Sequence, residues 1–340
     1  MYRILAVTNM YPTPNDPTSG TFVEQQIKGL EQVGMTVETV LLDRAQKGMS
    51  VYLAARRLVR AAIIDFRPDI VHAMYGGIMA DIVTATVDNR PTIVSFCGDD
   101  LLGEHLAGTV RKFISKCGVL SSYRAARRAG GIVIKSRNLQ DALPLDIPRS
   151  KVKIIPNGID LERFKPLDQK SCRNQLGWRS DCLNVVFPTN SGDPVKRPEL
   201  ANAAIRVAER SGIEIELHRL KNVSHAQVPV WLSASDVVLL TSLHEGSPNV
   251  IKEALACNVP IVSVDVGDVR ERIQGIEGCY VAASDPVELA SKLVSVHAGP
   301  RRVDGRKAVQ NLSLSQIALQ LKQFYDEISS KFFSLTTFNA

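Results

Sequence analysis

The chain has 340 residues, of which 45% are hydrophobic and 22% are charged, and its net charge is +6. This composition excludes a disordered chain, and the length favours two domains over one. The basic excess is mild and lies in residues 1–160, which carry 20 basic and 15 acidic side chains. Such a bias permits an acidic partner without requiring one, and we expect no nucleic-acid partner.

The six cysteines predict a protein of a reducing compartment. They form no Cys-x-x-Cys pair and no cluster typical of disulfides, and they stand at positions 97, 117, 172, 182, 257 and 279. The chain opens with a short strand from Tyr2 to Thr8 in place of a signal peptide, and no apolar run approaches the ~20 residues of a membrane span. We therefore expect a cytoplasmic protein.

Short β-branched runs alternate with amphipathic helical patterns along the first half of the chain. The predicted strands are 3–8, 37–42, 70–73, 92–96 and 131–135, and the predicted helices are 21–33, 50–65, 78–88 and 107–129. This alternation is typical of a parallel, doubly wound sheet. The prolines and the Pro-Asn-Gly turn of 153–166 then indicate a domain boundary.

The same alternation starts again after this boundary. The predicted strands are 184–188, 213–217, 236–240, 260–264 and 279–281, and the predicted helices are 198–211, 227–234 and 248–257. We predict two Rossmann-like α/β domains, 1–160 and 161–312, facing a cleft, and a last helix at 313–330 that packs back on the first domain. Because ligands of open α/β sheets bind at the carboxyl ends of the strands, functional residues should lie in the loops there.

Two glutamates stand around the start of a predicted helix in the stretch 241–271. Glu245 precedes the helix and Glu253 lies more than a turn inside it. A carboxylate repels phosphate but accepts hydrogen bonds from hydroxyl groups, so each glutamate is suited to a sugar hydroxyl. A ligand with hydroxyls at both ends and an anionic middle fits this arrangement, as a nucleotide-diphosphate sugar does.

The helix start between these glutamates offers a complementary binding surface. Pro248 suits the first helical position, because its φ is fixed and its missing N–H would have been unpaired. The amides of Asn249, Val250 and Ile251 would then point out of the helix end, with a positive dipole behind them. This end should attract an anion or a sugar oxygen.

A longer pattern around the two glutamates resembles a known family. The run S-x-x-E-G-x-P-x-x-x-x-E-A-x-A, followed by P-I-V-S-x-D-x-G-x-x-x-E, resembles the E-x7-E signature of family 4 glycosyltransferases, which are retaining enzymes of the GT-B fold that use nucleotide sugars. The resemblance implies that Glu245 contacts the donor sugar and Glu253 the ribose. It also implies that amides after Gly246, beginning at Ser247, hold sugar and phosphate oxygens.

The opening of the chain resembles the first loop of the same family. The run T-N-M-Y-P leads through a short loop to G-T-F-V-E-Q-Q-I-K-G-L, in which Gly20 and Thr21 start a helix. The resemblance implies that backbone amides at this start face the diphosphate or the acceptor. His72, in a further matching stretch, ends a buried strand and is expected to be structural.

The run S-F-C-G-D-D at 95–100 departs from the family pattern. Cys97 stands where many members have a histidine that is thought to hydrogen-bond the donor sugar. Because a thiol is a weak donor, this position should rely on the backbone of Gly98 and on Asp99 or Asp100. These carboxylates either orient the acceptor hydroxyl or cap the following helix.

The expected phosphate clamp is a second departure. After the first strand of the second domain, many relatives carry a lysine and, some five residues before it, an arginine. This chain keeps the lysine as Lys196 but lacks the earlier arginine. Arg197 stands next to the lysine instead. One fixed cation near a leaving group that gains charge contributes on the order of 3 kcal/mol. We expect Lys196 to fill this role first and Arg197 second, since unliganded cations at a helix start oppose the dipole.

Two further positions complete the comparison with the family. Cys257 replaces a common glycine at a helix end, but Asn258 can take the left-handed conformation, so the helix should still end there. We expect no metal and no cofactor, because Asp99 and Asp100 lack the spacing of Asp-x-Asp and the histidines show no ligand spacing.

The basic stretch 106–129 has two interpretations. It could lie on an anionic membrane surface, or it could be a core-packed helix with a solvated basic face. The basic residues are Arg111, Lys112, Lys116, Arg124, Arg127 and Arg128, and the apolar and aromatic residues among them are Phe113, Ile114, Val119, Leu120 and Tyr123.

Together with the resemblance, these features predict a retaining, metal-independent, hexosyltransferase-like glycosyltransferase. Its acceptor is expected to be a sugar or a lipid-linked sugar in envelope polysaccharide or glycolipid assembly. We expect it to act at the inner face of the cell membrane. In the mechanism that the resemblance implies, a phosphate oxygen takes the acceptor proton and Glu245 stabilises the sugar cation. Two alternatives stay open. A nucleotide-sugar epimerase of similar architecture should show a histidine near the sugar, and a non-catalytic sugar-nucleotide binding protein should lack Lys196 or a glutamate.

Overall fold

The structure is a computed structural model that describes residues 2–14, 16, 18–103, 109–189 and 194–337, without the side chains of 45, 110, 111 and 335–337. The chain forms two units, one of Met1–Gly158 with Leu314–Ala340 and one of Ile159–Ser313. Each contains a single parallel sheet, of six strands in unit 1 and five in unit 2. The predicted α/β class with two doubly wound sheets is therefore confirmed.

The strands follow the alternation of the sequence closely. They are β1 (Arg3–Thr8), β2 (Thr36–Leu41), β3 (Ile70–Ala73), β4 (Thr92–Phe96), β5 (Gly131–Ile134) and β6 (Val152–Ile154) in unit 1, and β7 (Leu183–Phe187), β8 (Ile215–Arg219), β9 (Val237–Leu240), β10 (Ile261–Val264) and β11 (Tyr280–Ala282) in unit 2. The central strands are buried along their whole length because helices cover both faces of a parallel sheet.

The helices in chain order are α1 (Thr21–Gln32), α2 (Arg44–Lys47), α3 (Val51–Phe66), α4 (Gly77–Thr84), α5 (Asp99–Leu102), α6 (Thr109–Arg128), α7 (Asn138–Asp141), α8 (Gln169–Leu176), α9 (Pro198–Glu209), α10 (Val228–Ala234), α11 (Asn249–Ala256), α12 (Val269–Ile273), α13 (Pro286–Ala298) and α14 (Leu314–Thr337). Short 3-10 turns cover Gly48–Ser50, Arg149–Lys151, Pro194–Lys196 and Arg306–Leu312. Six of these helices were not predicted, and they are α2, α5, α7, α8, α12 and α13.

Strand order places a topological switch point in each sheet. Unit 1 has the order β2-β1-β3-β4-β5-β6, so the chain reverses direction across the sheet beside β1. Unit 2 has the order β11-β10-β9-β7-β8, with the reversal beside β7. The loops after the strands that flank such a point diverge and leave a crevice at the carboxyl edge. We therefore expect one ligand crevice after β1 and β3 and another after β7 and β9.

The last helix, α14, packs on unit 1. Its Phe324 and Ile328 approach β5 at Gly131, where an added Cβ would come within 2.9 Å of both side chains. Its Tyr325 is buried and hydrogen-bonds the Nδ1 atom of His72 at 2.7 Å, while the Nε2 atom of His72 lies 2.8 Å from the Ser95 Oγ atom. His72 thus joins β3, β4 and α14, which is the structural role expected for it.

Burial lowers the pKa of His72 from 6.5 to about 3, and the nearby Lys135 ammonium acts in the same direction. The folded protein keeps this imidazole neutral, whereas the unfolded chain takes up a proton below pH 6.5. The free energy of unfolding should therefore fall as the pH drops from about 6.5 toward 3, by up to ~1.4 kcal/mol per pH unit from this group.

Urea unfolding at pH 7 and pH 5.5 should show this loss in the natural protein and a smaller loss in His72→Gln, which keeps hydrogen-bonding atoms but does not titrate. The exposed His297→Gln is the matched control and should retain the full loss. An equal loss in the natural protein and in His72→Gln would contradict the assignment to His72.

Candidate active site

A cavity of about 230 Å³ lies at the switch point of unit 2. It is bounded by residues that follow β7, β8 and β9 and by the start of α11, and its lining residues are Pro188, Thr189, Lys196, Leu220, Glu245, Pro248, Asn249 and Val250. Five of these eight residues come from the site predicted from sequence. The structure therefore brings most of the predicted donor site together around one cavity.

Glu245 and Lys196 form an ion pair in this cavity. The Lys196 Nζ atom lies 2.5 Å from the Glu245 Oε1 atom, and the Ser242 hydroxyl donates to the same oxygen at 2.7 Å. Both charged side chains are largely buried. The pair therefore places a cation and a carboxylate side by side at the wall of the cavity.

The loop that carries Gly246 and Ser247 is supported from behind by the loop after β10. The Ser247 hydroxyl donates to the Asp268 Oδ2 atom at 2.9 Å, and Arg272 donates to the same atom at 2.8 Å. Gly267 has φ +58°, and a Cβ added there would overlap the carbonyl oxygen of Gly246. This close approach requires glycine and fixes the backbone next to Glu245.

Gly267→Ala should displace the loop at Gly246 and lower activity at this site by about tenfold or more, because small shifts of positioning groups are costly. The matched control is Gly275→Ala, since Gly275 also has a positive φ of +78° but an added Cβ would meet nothing within 4 Å. Steady-state rates of the two variants separate the two effects. Equal rates would mean that the contact with Gly246 is unimportant.

The start of α11 differs from the prediction. The helix begins at Asn249, and Pro248 is the N-cap residue with φ −66° and ψ 120°. The Ile251 amide donates to the Pro248 carbonyl at 3.2 Å, so this amide, which we expected to be open to a ligand, is engaged. Among the described residues, no group donates to the buried Asn249 Oδ1 atom, which belongs to a cavity-lining side chain.

Arg197 has a different position from the one expected of a phosphate clamp. Its guanidinium donates to the carbonyl of Thr241 at 2.7 Å and to that of Ser242 at 3.2 Å, and it also donates to the Ser284 hydroxyl at 3.0 Å. Its backbone is left-handed, with φ 48°, at the start of α9. Arg197 therefore braces the end of β9, from which the chain continues to Glu245, and does not line the cavity.

Glu253 is held by a residue that the sequence did not single out. Its Oε1 atom lies 3.3 Å from the Nε2 atom of His225, in the loop between β8 and α10, and the Nδ1 atom of His225 lies 2.8 Å from the Arg163 Nη1 atom. Glu253 is one helical turn beyond Asn249, so the two side chains share a face of α11. No sequence motif pointed to His225, because its partners are 62 and 28 residues away.

Helix α11 ends as predicted. Asn258 has φ 59°, and the Val259 amide donates back to the Ala254 carbonyl at 2.9 Å. Burial raises the pKa of the Cys257 thiol to about 12, so this cysteine is unreactive.

A second cavity, of about 290 Å³, lies at the switch point of unit 1. It is lined by residues that follow β1, β3 and β4 and by parts of α3 and α6: Asn9, Arg44, Met49, Tyr52, Tyr75, Gly76, Gly77, Ile78, Asp99, Asp100, Ile114, Ser115, Gly118 and Val119. Two tyrosines, apolar walls and a few polar groups make it suited to an organic ligand that carries hydroxyls.

Two roles were expected for these carboxylates, and Asp100 has the capping role. Its carboxylate accepts hydrogen bonds from the amides of Cys97, Gly98 and Gly76 at 2.8 to 3.1 Å. Burial raises the pKa of Asp100 above its usual value, and the donating amides act in the opposite direction. Asp99 is exposed and lines the cavity, so of the two carboxylates it is the one whose side chain is open to a ligand there.

The predicted loop residues Gly20 and Thr21 lie at the start of α1 and do not line this cavity. Gly20 has φ 63°, and a Cβ there would come within 2.5 Å of the Met10 carbonyl, so glycine is required.

Cys97 is partly exposed, and its Sγ atom lies 3.9 Å from the Met74 carbonyl oxygen.

The basic stretch 106–129 packs on the core of unit 1 and has a solvated basic face, and residues 106–108 and the side chains of Val110 and Arg111 lie outside the described part. Arg124 and Arg128 pair with Asp81, and Arg127 pairs with Asp146. Its inner face packs in the core of unit 1, whereas Phe113, Ile114 and Leu120 are exposed. In the described ranges no group of three or more metal-ligating side chains occurs, and no described helix is long and apolar enough to span a bilayer.

Sequence comparisons match both units to families of enzymes. A family model described as "Glycosyltransferase Family 4" matches residues 20–163, and one described as "Glycosyl transferases group 1" matches residues 191–298. The chain is 25% identical over 328 residues to TuaC of Bacillus subtilis, a protein named for glycosyltransfer in teichuronic acid biosynthesis, and the match covers 78% of this chain and 82% of TuaC.

A second relative is D-inositol 3-phosphate glycosyltransferase 2 of Catenulispora acidiphila, which is 26% identical over 197 residues. This match covers 47% of the chain and 46% of the relative. The chain thus spans a little under half the length of the D-inositol 3-phosphate glycosyltransferases that it matches.

Two solved structures share the fold. Sucrose-phosphate synthase from Thermosynechococcus elongatus superposes with a TM-score of 0.78 at 17% identity, over 97% of this chain and 100% of the other. HepE of Anabaena, in complex with UDP, superposes with a TM-score of 0.69 at 17% identity, over 96% of this chain and 100% of the other. HepE has also been solved with UDP-glucose. At such identities the likeness shows the fold alone.

Proposed function

Since the chain belongs to the family 4 glycosyltransferases and has their GT-B fold, we propose that it is a retaining enzyme that moves a sugar from a nucleotide-diphosphate sugar to a hydroxyl acceptor. The observation that carries this proposal is the Lys196–Glu245 ion pair in the cavity at the start of α11. An ammonium, a carboxylate and a helix start in one cavity match a diphosphate joined to a sugar.

The chemistry assigns one role to each of these groups. The bond between the anomeric carbon and the diphosphate oxygen breaks, and the acceptor oxygen bonds to the same carbon on the same face. The acceptor proton passes to a phosphate oxygen of the leaving group. Lys196 stabilises the charge that develops on the diphosphate, and Glu245 positions the sugar and stabilises its positive charge without attacking it.

The remaining donor contacts follow from the same cavity. Asn249, Val250 and the loop of Gly246 and Ser247 would hold sugar and phosphate oxygens, and Glu253 would accept a hydrogen bond from a ribose hydroxyl. A uridine nucleotide is the first donor to test, since HepE has been solved with UDP and with UDP-glucose. Because Lys196 and the helix start supply positive charge, the reaction is proposed to need no metal ion.

We assign the acceptor to the cavity of unit 1. Asp99 would orient the acceptor hydroxyl, and Tyr52 and Tyr75 supply aromatic faces suited to a sugar ring. The acceptor is proposed to be a growing envelope polysaccharide or a glycolipid. The teichuronic acid pathway named for TuaC supports this choice.

Association with the inner face of the cell membrane is part of the proposal. Helix α6 exposes Phe113, Ile114 and Leu120, and helix α3 exposes Leu53 to 90% and Ile64 to 71%. Basic side chains accompany both groups, and they are Lys112 and Lys116 on α6 and Arg56, Arg57 and Arg60 on α3. Mixed basic and apolar surfaces of this type bind anionic lipids. The six cysteines are all thiols, which supports the proposal of a cytoplasmic location.

Leu53→Ser combined with Ile64→Ser should lower binding to vesicles of phosphatidylglycerol by about fivefold, because two exposed apolar contacts are removed. The control is Leu145→Ser with Val287→Ser, two other exposed apolar residues. Co-sedimentation with vesicles measures both pairs. Equal binding by both double variants would contradict a role for α3.

Nucleotide binding tests the proposed function. UDP, GDP and ADP, each with EDTA present, should be compared by thermal shift, since a ligand that binds only the folded state raises Tm. We expect one nucleotide to raise Tm in the natural protein and to have little effect in Lys196→Ala. No shift with any nucleotide would contradict the proposal. Binding of a nucleotide sugar without transfer would favour a binding protein, and isomerisation of the sugar would favour an epimerase.

A further inference from the structure

His225 stands between two charged side chains of unit 2. Its Nδ1 atom lies 2.8 Å from the Arg163 Nη1 atom, and its Nε2 atom lies 3.3 Å from the Glu253 Oε1 atom. The ring also packs on Phe164, with 5.3 Å between the ring centroids. The imidazole is therefore fixed in place and in orientation.

The contact with Arg163 determines which ring nitrogen carries the proton. A guanidinium group only donates hydrogen bonds, so the Nδ1 atom of His225 must accept. The proton of the neutral ring is then on the Nε2 atom, which donates to Glu253. Arg163 thus sets the tautomer, and the tautomer sets a hydrogen bond to the Glu253 carboxylate.

This hydrogen bond engages one oxygen of the Glu253 carboxylate and leaves the other for a ligand. His225 occupies the Oε1 atom of Glu253, and no other described residue donates to its Oε2 atom. Glu253 follows Asn249 by one turn on the same face of α11, and Asn249 lines the cavity. An oxygen to which no described residue donates, on the same face of α11 as Asn249, is suited to a hydroxyl group of the ligand.

We propose that His225 is a positioning residue, which with Arg163 orients Glu253 so that the Oε2 atom accepts a hydrogen bond from a ribose hydroxyl of the donor. The proposal rests on the proposed function and names a determinant of its specificity. The hydrogen-bonded series Arg163–His225–Glu253 recognises the ribose specifically, and it makes no contact with the transferred sugar or the diphosphate. Loss of His225 should therefore weaken binding only of ligands that carry ribose hydroxyls.

Two substitutions of His225 separate its roles. His225→Phe keeps an aromatic ring against Phe164 and removes both hydrogen bonds. His225→Gln places an amide nitrogen near the position of the Nε2 atom and can still donate to Glu253. Arg163→Met removes the group that sets the tautomer and leaves the histidine in place. The exposed His297→Phe is the matched control in the same unit.

Calorimetric Kd values for UDP, GDP and ADP and for the 2′,3′-dideoxy form of each test the proposal. For the nucleotide that binds the natural protein, His225→Phe should raise the Kd by about tenfold, the effect of one lost hydrogen bond. The Kd of its dideoxy form should change less than about twofold. His225→Gln should recover most of the loss, and Arg163→Met should show a smaller loss of the same selectivity.

The outcomes distinguish this proposal from the proposed function. If the natural protein binds a nucleotide, but His225→Phe weakens the ribose and dideoxy forms equally, His225 acts on overall structure and the inference is wrong. The same conclusion follows if Arg163→Met and His225→Phe both leave the preference for ribose intact. If no nucleotide binds the natural protein at all, the proposed function is wrong and this inference with it.

Discussion

Glu245→Ala should lower turnover of the nucleotide sugar by about 10²- to 10³-fold, because it removes the carboxylate proposed to face the positive charge on the sugar in the transition state. Two hydrogen bonds fix the position of this carboxylate, since Lys196 donates to its Oε1 atom at 2.5 Å and Ser242 donates to the same atom at 2.7 Å. The loss should appear mainly in kcat, since the positive charge develops during the reaction.

The matched control for this variant is Glu209→Ala, which removes an exposed carboxylate at the end of α9 in the same unit. Its turnover should equal that of the natural protein. Glu245→Gln adds a second comparison, because it keeps the size of the side chain and removes its charge. Full turnover by Glu245→Gln would show that the charge of Glu245 has no role in the reaction.

Lys196→Ala should cost about 10²-fold or more in turnover, for two reasons that act together. The substitution removes the cation assigned to the diphosphate leaving group, and it leaves Glu245 without the partner that balances its charge. Because Arg197 is bound to the carbonyls of Thr241 and Ser242, it should not substitute for the missing lysine.

The double variant Lys196→Ala with Glu245→Ala tests whether the two residues work as one unit. Its loss should be close to that of the worse single variant and far below the product of the two losses. Lys170→Ala, an exposed lysine of α8, is the control for loss of a positive charge. Losses that multiply would mean that the ion pair of the unliganded protein has no part in catalysis.

The two parallel sheets could be predicted from sequence because they depend on local patterns. Buried runs such as Ile70–Ala73 and Ile261–Val264 are entirely apolar or nearly so, and prolines and glycines separate them from the helices. Helix α13 had a readable signal, since Asp285 caps its first turn and Pro286 begins it.

The residues of the proposed donor site could also be selected from sequence, because they lie in one short stretch and one loop. The E-x7-E pattern named Glu245 and Glu253, and the resemblance to the family pointed to Lys196 after β7. Sequence could not separate Lys196 from Arg197, because adjacent residues take opposite directions once the backbone turns left-handed at Arg197. Only the folded chain shows that Arg197 braces β9.

Contacts between distant segments were beyond the sequence. The sequence could not distinguish the roles of Asp99 and Asp100. In the structure the carboxylate of Asp100 accepts a hydrogen bond from the amide of Gly76, which is 24 residues away, and this contact contributes to its capping role. His225 had no motif, since the role proposed for it depends on contacts with Arg163 in one loop and Glu253 on a helix. Residues that orient other residues leave little signal, because many side chains could stand at such positions.

The most direct test is release of the nucleoside diphosphate from a panel of UDP-, GDP- and ADP-sugars, measured side by side for the natural protein, Glu245→Ala and Lys196→Ala. We expect one class of donor to be turned over by the natural protein and its turnover to fall by about 10²-fold or more in each variant. Equal turnover by all three proteins would contradict the assignment of this cavity as the donor site.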